Sequence, residues 1–295
     1  MNNEFTAKII DGKLIASKVK DEIKAEVAEL IDADLKTPHL AAIIIGDDPA
    51  SQTYVASKEK SAKSVGITSS VYKYPVETTE KELLATIDFI NNDDEIDGLI
   101  VQLPLPDHID VDKVIQRIDP AKDVDGFHPM NVGKMAIGQP SFISATPAGV
   151  MELLKRYKIK TEGKHCVVLG RSNIVGSPMS ILMSKKTNPG NATVTVCHSK
   201  TVDIEKYTRE ADILICAIGK PEFVRGSMVK AGAVVIDVGI HRVDAKNKKG
   251  YKLVGDVDYE TVSTKASFIT PVPGGVGPMT IAMLLKNTLL ALKQK

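Results

Sequence analysis

The chain has 295 residues, longer than one hydrophobic core usually serves, so two domains are expected. It is 43% hydrophobic and 25% charged, an ordinary globular composition, and its 38 basic and 37 acidic residues leave a net charge of +1. That balance gives no footprint for nucleic acid or an anionic membrane. The opening MNNEFTAKIIDGK lacks the apolar core of a signal peptide and no apolar run reaches spanning length, so the expected location is the cytoplasm. Cys166, Cys197 and Cys216 stand far apart in apolar runs and read as buried small hydrophobes. Neither they nor the six histidines show metal-ligand spacing.

Helical and strand patterns then alternate. Residues 14–31 carry apolar residues at helical spacing, and HLAAIIIG (39–46) is a short apolar run ending in glycine. Asp48-Pro49 supplies an N-cap and a first-turn proline, and Gly66 follows the last turn, so SQTYVASKEK (51–60) is the middle of a helix. TSSVYKYP predicts a strand, EKELLATIDFIN a helix, and DGLIVQLPLP a strand that stops at its prolines. A second alternating series begins near residue 147. PAGVMELLKRY is helical and PMSILMSKK fills the first crossover. HCVVLG, ATVTVC, DILICAIG and GAVVIDVGI are β-branched runs without polar alternation, the pattern of parallel strands buried on both faces. GPMTIAMLLKNTLLALKQK is a final helix with Pro278 at its start and a stripe of Ile281, Leu284, Leu285 and Leu292. Two α/β units with no long linker predict close packing with a cleft between them.

LGRSNIVGSPM (169–179) follows a strand and precedes a helix, the context of a dinucleotide loop. Gly170 allows the tight turn, and amides at the helix start can face a pyrophosphate. The spacing departs from G-x-G-x-x-G, because Ser172 stands at the second glycine and Gly176 comes one place late, so a purely structural turn stays open. An NAD site carries an acid after its second strand. Here that strand runs into His198-Ser199-Lys200-Thr201, and the first acid is Asp203, beyond the turn. Hydroxyl and basic groups, with Arg171 in reach, favour a 2′-phosphate and hence NADP; a solvated turn is the alternative. In the first half, Tyr54 and Lys58 share a helix face. Gln102 sits within an apolar strand where its amide needs a partner, and KDVDGFHP puts Asp123 and Asp125 before a glycine turn. Each has an ordinary reading: one more solvated lysine beside Lys60 and Lys63, an amide satisfying backbone, an aspartate capping a turn. ITPVPGGVGPMT (269–280) is a stiff loop suited to close approach of something planar, or a plain domain connection.

Together YVASK (54–58), DGLIVQLPLP, KDVDGFHPMNVGKM, GRSNIVGSPM, the CHSKT turn, IDVGI (236–240) and TPVPGGVGPMT resemble one family, in order and through nearly the whole chain. It is the bifunctional methylenetetrahydrofolate dehydrogenase/methenyltetrahydrofolate cyclohydrolase family. The resemblance implies two α/β domains with a cleft between them. One is a catalytic domain, 1–147 completed by the last helix 276–295; the other is a Rossmann-like parallel-sheet NADP domain, 148–275, through which such proteins usually form a homodimer. The activities implied are oxidation of 5,10-methylenetetrahydrofolate with NADP and hydrolysis of the resulting methenyl cation to 10-formyltetrahydrofolate. By the same resemblance Lys58 is the catalytic lysine, with Tyr54 and Gln102 orienting it. Asp125 binds the pterin ring, and Pro273, Gly274 and Gly275 line the folate site together with Tyr54. Arg171, Ser172 and Ser199 lie at the adenosine phosphate, and Gly170, Ile174, Val175, Thr146, Gly219 and Ile240 complete the cofactor set; no metal is implied. The family often has Pro-Cys-Thr-Pro where this chain has Ser144-Ala145-Thr146-Pro147, which keeps the threonine and proline that shape the turn. Three other readings stand beside this one: a monofunctional NAD(P)-dependent dehydrogenase; a non-catalytic folate- or nucleotide-binding regulator, which would have no need of Lys58; and an amino-acid dehydrogenase, which the PVPGGVGPMT loop does not suit.

Overall fold

The computed structural model describes residues 6–247 and 250–295. In chain order come β1 (Lys8–Ile9), α1 (Gly12–Asp32), β2 (His39–Ile45), α2 (Pro49–Ser64), β3 (Thr68–Tyr74), α3 (Glu80–Asn91) and β4 (Gly98–Val101). Helices α4 (Val111–Arg117), α5 (Pro129–Ile137) and α6 (Ala145–Arg156) follow without a strand between them. Then alternate β5 (His165–Leu169), α7 (Gly176–Ser184), β6 (Thr193–Cys197), α8 (Ile204–Glu210), β7 (Ile213–Cys216) and β8 (Val234–Asp237). The chain ends with β9 (His241–Asp244), β10 (Tyr251–Val254), α9 (Tyr259–Ser263), β11 (Phe268–Ile269) and α10 (Val276–Lys293).

Two compact units result. The segment ending at Ala16 joins Thr146–Thr280, and Ser17–Ala145 joins Ile281–Lys295. This differs from the division expected from sequence, which gave residues 1–147 to one domain. The cause is a two-residue strand: β1 pairs in parallel with β11 and so carries the start of the chain into the second unit's sheet. The chain changes unit within α1 and again within α10.

The Ser17–Ala145 unit is built on a three-stranded parallel sheet in the order β3-β2-β4. Strand β2 is buried at every position after His39. Leu40, Ile43, Ile87, Ile90 and Ile100 are at most 1% exposed, and burying each such side chain contributes about 1.5–3 kcal/mol. Helix α2 begins where the sequence says it must: Asp48 accepts from the Ser51 amide at 2.7 Å, with Pro49 at the first helical position. Helix α3 opens with a capping box between Thr79 and Glu82. Strand β4 stops at Val101, earlier than the predicted run, so Gln102 lies past the strand rather than inside it. Its amide still donates to the Ile43 carbonyl at 2.9 Å, but Pro104 and Pro106 cannot donate to a ladder and the strand ends. The last helix closes this unit. Buried Asn287 donates from Nδ2 to the carbonyls of Val124 (2.8 Å) and Ile143 (3.0 Å), tying two loops to α10.

The other unit carries a six-stranded sheet in the order β1-β11-β8-β7-β5-β6, with every pairing parallel. Strands β7 and β8 are buried throughout and β5 beyond His165, as their unbroken apolar runs predict. Strand β6 is the exception. It has a single neighbour, lies at the edge, and is buried only at Cys197, against the expectation of burial on both faces. An antiparallel pair, β9 with β10, stands apart from the main sheet.

Replacing Asn287 by Ala leaves two carbonyls in a buried setting without their donor. The expected result is a loss of about 1–3 kcal/mol of stability, read as a lower Tm by calorimetry. An unchanged Tm would mean that both carbonyls find other partners.

Candidate functional site

The caps of α2 decide which way its side chains point. Ser51, Val55, Lys58 and Ala62 form its buried stripe, while Lys60 and Lys63 are exposed. Lys58 is therefore not one more solvated lysine: it is 5% exposed. Its Nζ donates to Gln102 Oε1 at 3.2 Å and stands 4.7 Å from the centroid of the Tyr54 ring. Gln102 Nε2 donates to the Leu103 carbonyl at 2.6 Å, which turns Oε1 toward the amine. Burial holds the Lys58 pKa below the ordinary lysine value, and the charge of Asp125 opposes that shift. Burial likewise raises Asp125 above the ordinary carboxylate range, with Lys58 acting against it. Both groups are thus pushed toward their neutral forms, and each is the other's electrostatic partner.

The KDVDGFHP loop that presents Asp125 is organised by its neighbour. Asp123, 2% exposed, accepts from the amides of Phe127 (3.2 Å) and His128 (2.8 Å) and from Asn131 Nδ2 (2.9 Å). Burial pushes its pKa up to about 6 against those hydrogen bonds. Gly126 turns the loop at φ +72°, where a Cβ would sit 2.6 Å from the Ser144 amide nitrogen. The turn-capping role that the sequence left open for Asp125 is filled by Asp123. Lys122 Nζ donates to the carbonyls of Ile90 (2.7 Å) and Asp93 (2.6 Å), fixing the loop's entry.

In the other unit, a second set of residues gathers at the carboxyl ends of parallel strands, where open α/β sheets bind ligands. Gly170 follows β5 at φ +120°, and a Cβ there would collide with the Ala217 carbonyl. A Cβ on Gly176 would collide with the Gly170 carbonyl, so both glycines serve close packing of loop, helix and strand. Ser172, at the place of a second glycine, receives the Val175 and Gly176 amides on Oγ at 3.1 and 3.4 Å and so caps the start of α7. Arg171, Ser172 and Ile174 are exposed and Val175 is half-buried. Leu169 pairs with Cys197, and the Gly170 amide donates to the Cys197 carbonyl at 2.8 Å, so the loop holding Arg171 and the turn holding Ser199 leave adjacent strands at one edge. That turn is closed by Thr201, whose Oγ1 accepts from the His198 amide at 2.9 Å. Ser199 is exposed, and Asp203 lies beyond it as the N-cap of α8. Gly219 and Ile240, both exposed, follow β7 and β8.

Thr146 lies in α6 and shares a hydrogen bond with Thr280, Oγ1 to Oγ1, at 2.9 Å. Pro273, Gly274 and Gly275 form the loop after β11. The Gly274 carbonyl accepts from the Lys13 amide at 2.9 Å, and a Cβ on Gly12 would strike the Gly275 carbonyl, so part of this loop's glycine content serves its packing on the start of α1.

Two acids that sequence reasoning passed over hold the loops of this edge. Asp237, at the end of β8, accepts from the amides of Gly239, Asp256 and Val257 at 3.0, 2.9 and 3.0 Å. Burial, with the Asp256 charge adding to it, pushes its pKa up to about 7. Asp256 binds the loop after β7 and His241 at the start of β9. The one signal for Asp237 was its place inside IDVGI; Asp256 gave none. All three cysteines are buried, and burial pushes the Cys166 thiol up to about 12, in keeping with a packing role.

A six-stranded parallel sheet whose strand ends gather a glycine loop with exposed basic and hydroxyl groups, and a second α/β unit holding a desolvated lysine, define a two-unit protein of the dinucleotide-binding α/β class. A model of the tetrahydrofolate dehydrogenase/cyclohydrolase catalytic domain matches residues 10–125, and one of the same family's NAD(P)-binding domain matches residues 144–295. The chain is 61% identical over 287 residues to a protein of Bacteroides fragilis named Bifunctional protein FolD, covering 97% of this chain and 98% of that one. It is 60% identical over 288 residues to its namesake in Flavobacterium johnsoniae, with the same coverage. Among solved structures, the bifunctional FolD enzyme of Campylobacter jejuni superposes with a TM-score of 0.92 at 50% identity, covering 98% of this chain and 99% of that one. The dehydrogenase-cyclohydrolase of Trypanosoma brucei, solved with NADP cofactor and inhibitor, gives 0.92 at 41% identity, covering 98% of each. The chain belongs to the tetrahydrofolate dehydrogenase/cyclohydrolase family.

The Lys58 amine is expected to titrate below 10.5 when followed by NMR of labelled lysine. Because the Asp125 charge holds that pKa up, Asp125→Asn lowers it further. A rise on that substitution would mean the two groups do not interact as described.

Proposed function

We propose that this chain oxidises 5,10-methylenetetrahydrofolate to 5,10-methenyltetrahydrofolate with NADP and hydrolyses the product to 10-formyltetrahydrofolate. The observation that carries the proposal is the buried Lys58, held by Gln102 and Tyr54 and pushed toward its neutral form. Family membership supports both activities, and the relatives at about 60% identity are named as bifunctional, which leaves the monofunctional reading unfavoured.

The exposed Arg171 and the hydroxyls of Ser172 and Ser199 fit the 2′-phosphate of NADP, and no acid intervenes before Asp203. NADP, when bound, supplies the hydride acceptor. The chain's own work is positioning and proton transfer. In the hydrolytic step, water adds to the methenyl carbon, the bond from that carbon to the ring nitrogen breaks, and the formyl group stays on the other nitrogen. Lys58 as a neutral amine takes a proton from the attacking water and, as ammonium, returns one to the departing ring nitrogen, while the remaining hydroxyl proton leaves to solvent as the formyl carbonyl forms. Gln102 accepts from Nζ through both states and keeps it aimed. Asp125 presents a carboxyl group to the donor edge of the pterin, and Pro273, Gly274 and Gly275 line the folate. The proposal extends to a cytoplasmic homodimer, formed through the nucleotide-binding unit, that supplies one-carbon units for purine, methionine and histidine synthesis; family membership is its support.

Lys58→Met is expected to cut methenyltetrahydrofolate hydrolysis by about 10²–10⁴-fold while leaving NADP affinity, measured by calorimetry, unchanged. Full hydrolase activity in that variant would overturn the assignment. Initial rates of methylenetetrahydrofolate oxidation should favour NADP over NAD, and Arg171→Ala should erode the preference by roughly tenfold. A native preference for NAD would remove the phosphate-site argument and leave the family intact.

A further inference from the structure

We infer that Asp256 is a positioning residue for cofactor binding, one carboxylate that sets two loops of the dinucleotide edge at once; the inference rests on the NADP use proposed above. Asp256 follows β10 and is fully buried. Its Oδ2 accepts from the amides of Ile218 (2.7 Å) and Gly219 (3.1 Å), and its Oδ1 from the Lys220 amide (3.0 Å). Those three residues form the loop leaving β7. Oδ1 also receives His241 Nε2 at 2.7 Å, and His241 opens β9, just past the loop leaving β8. A Cβ on Gly239 would strike Oδ1, so the second loop passes directly over the carboxylate.

Three features separate this from ordinary core stabilisation. The side-chain bonds of Asp256 run to the loop that carries Gly219 and to His241, the residue after Ile240 at the start of β9, not to the strands of the main sheet. At the tip of the first loop Gly219 is exposed at φ +73° and a Cβ there would meet nothing within 4 Å, while Ile218 beside it rests on the hydrophobic core. The loop's three consecutive amides converging on one carboxylate are what fix its path. The aspartate is itself immobilised, because its own amide donates to Asp237 at the end of β8. Sheet, Asp237, Asp256 and loops thus form a continuous chain of hydrogen bonds in which each of these backbone donors has a side-chain carboxyl oxygen as its acceptor. Sub-ångström placement of a binding loop calls for such support.

The carboxylate accepts from four donors, and an amide offers a single acceptor atom. Asp256→Asn therefore strips acceptors from one or both loops while keeping the volume. The full-length protein and its Asp256→Asn, His241→Ala and His241→Gln variants would be compared for NADP affinity by titration calorimetry, for methenyltetrahydrofolate hydrolysis, and for folding by circular dichroism. Asp256→Asn is expected to weaken NADP binding roughly tenfold or more, with hydrolysis within about twofold of the unaltered chain. His241→Ala should weaken it severalfold, and His241→Gln, which restores a donor toward Asp256, should recover most of the loss. If Asp256→Asn does not fold, the two His241 variants decide. Unchanged NADP affinity in folded variants, or an equal loss of both activities, overturns the inference. Failure of the unaltered chain to bind NADP overturns the functional reading and this one with it.

Discussion

The burial of one amine governs the Ser17–Ala145 unit. A charged ammonium moved out of water costs several kcal/mol unless it is paired or neutralised, and Lys58 is 5% exposed. The fold meets that cost in three ways: a shift toward the neutral amine, an acceptor in Gln102, and the ring face of Tyr54. Each depends on structure further off. Tyr54 can face Lys58 because Asp48 and Pro49 fix where α2 begins. Gln102 can reach it because its Nε2 is tied to the Leu103 carbonyl just past the end of β4, which turns Oε1 toward the amine. Asp125 can act on it because Asp123 takes over the capping of the loop they share.

Buried carboxylates do the organising in both units. Asp237 and Asp256 collect backbone amides from loops that leave strand ends, and Asp123 does the same in the loop between α4 and α5. The device suits such loops, whose backbone amides need buried acceptors that no neighbouring strand supplies. A neutral acceptor would offer weaker bonds, and a solvated one would leave the loop free to move. The raised pKa values of Asp123 and Asp237 are the electrostatic consequence of putting such groups where solvent cannot reach them.

These two kinds of interaction differ in how far they can be read from sequence. The pairing of Tyr54 and Lys58 was legible because helix periodicity places them four apart and the caps are local. The glycine loop was legible as a loop, and Ser172 was rightly marked as its departure, but its capping role needed coordinates. The adjacency of Arg171 and Ser199 followed once two parallel strands were recognised. Strand β6 was misread as interior because its β-branched run resembles its neighbours; edge position is a property of sheet order, not of composition. Strand β1 could not be seen, since two residues carry no periodicity, and the unit boundary moved with it. Asp256 was silent because all its partners but one are backbone amides, and backbone amides leave no trace in a sequence.

The proposed chemistry gives a reason for lowering the Lys58 pKa that goes beyond its service as a base. Loss of hydride from methylenetetrahydrofolate leaves a positive charge delocalised over two nitrogens. An ammonium facing that charge in a low-dielectric site would oppose its formation, since like charges at close range interact far more strongly there than in water. Under the proposed mechanism the burial that lowers the lysine pKa serves both halves of the reaction: it shifts the amine away from the repulsive charged form while the cation forms, and toward the proton-accepting form for the hydrolysis that follows. Asp125 fits the same logic. Its electrostatic coupling keeps the amine from being too weak a base to take the proton, so the aspartate sets a floor beneath the shift that burial creates.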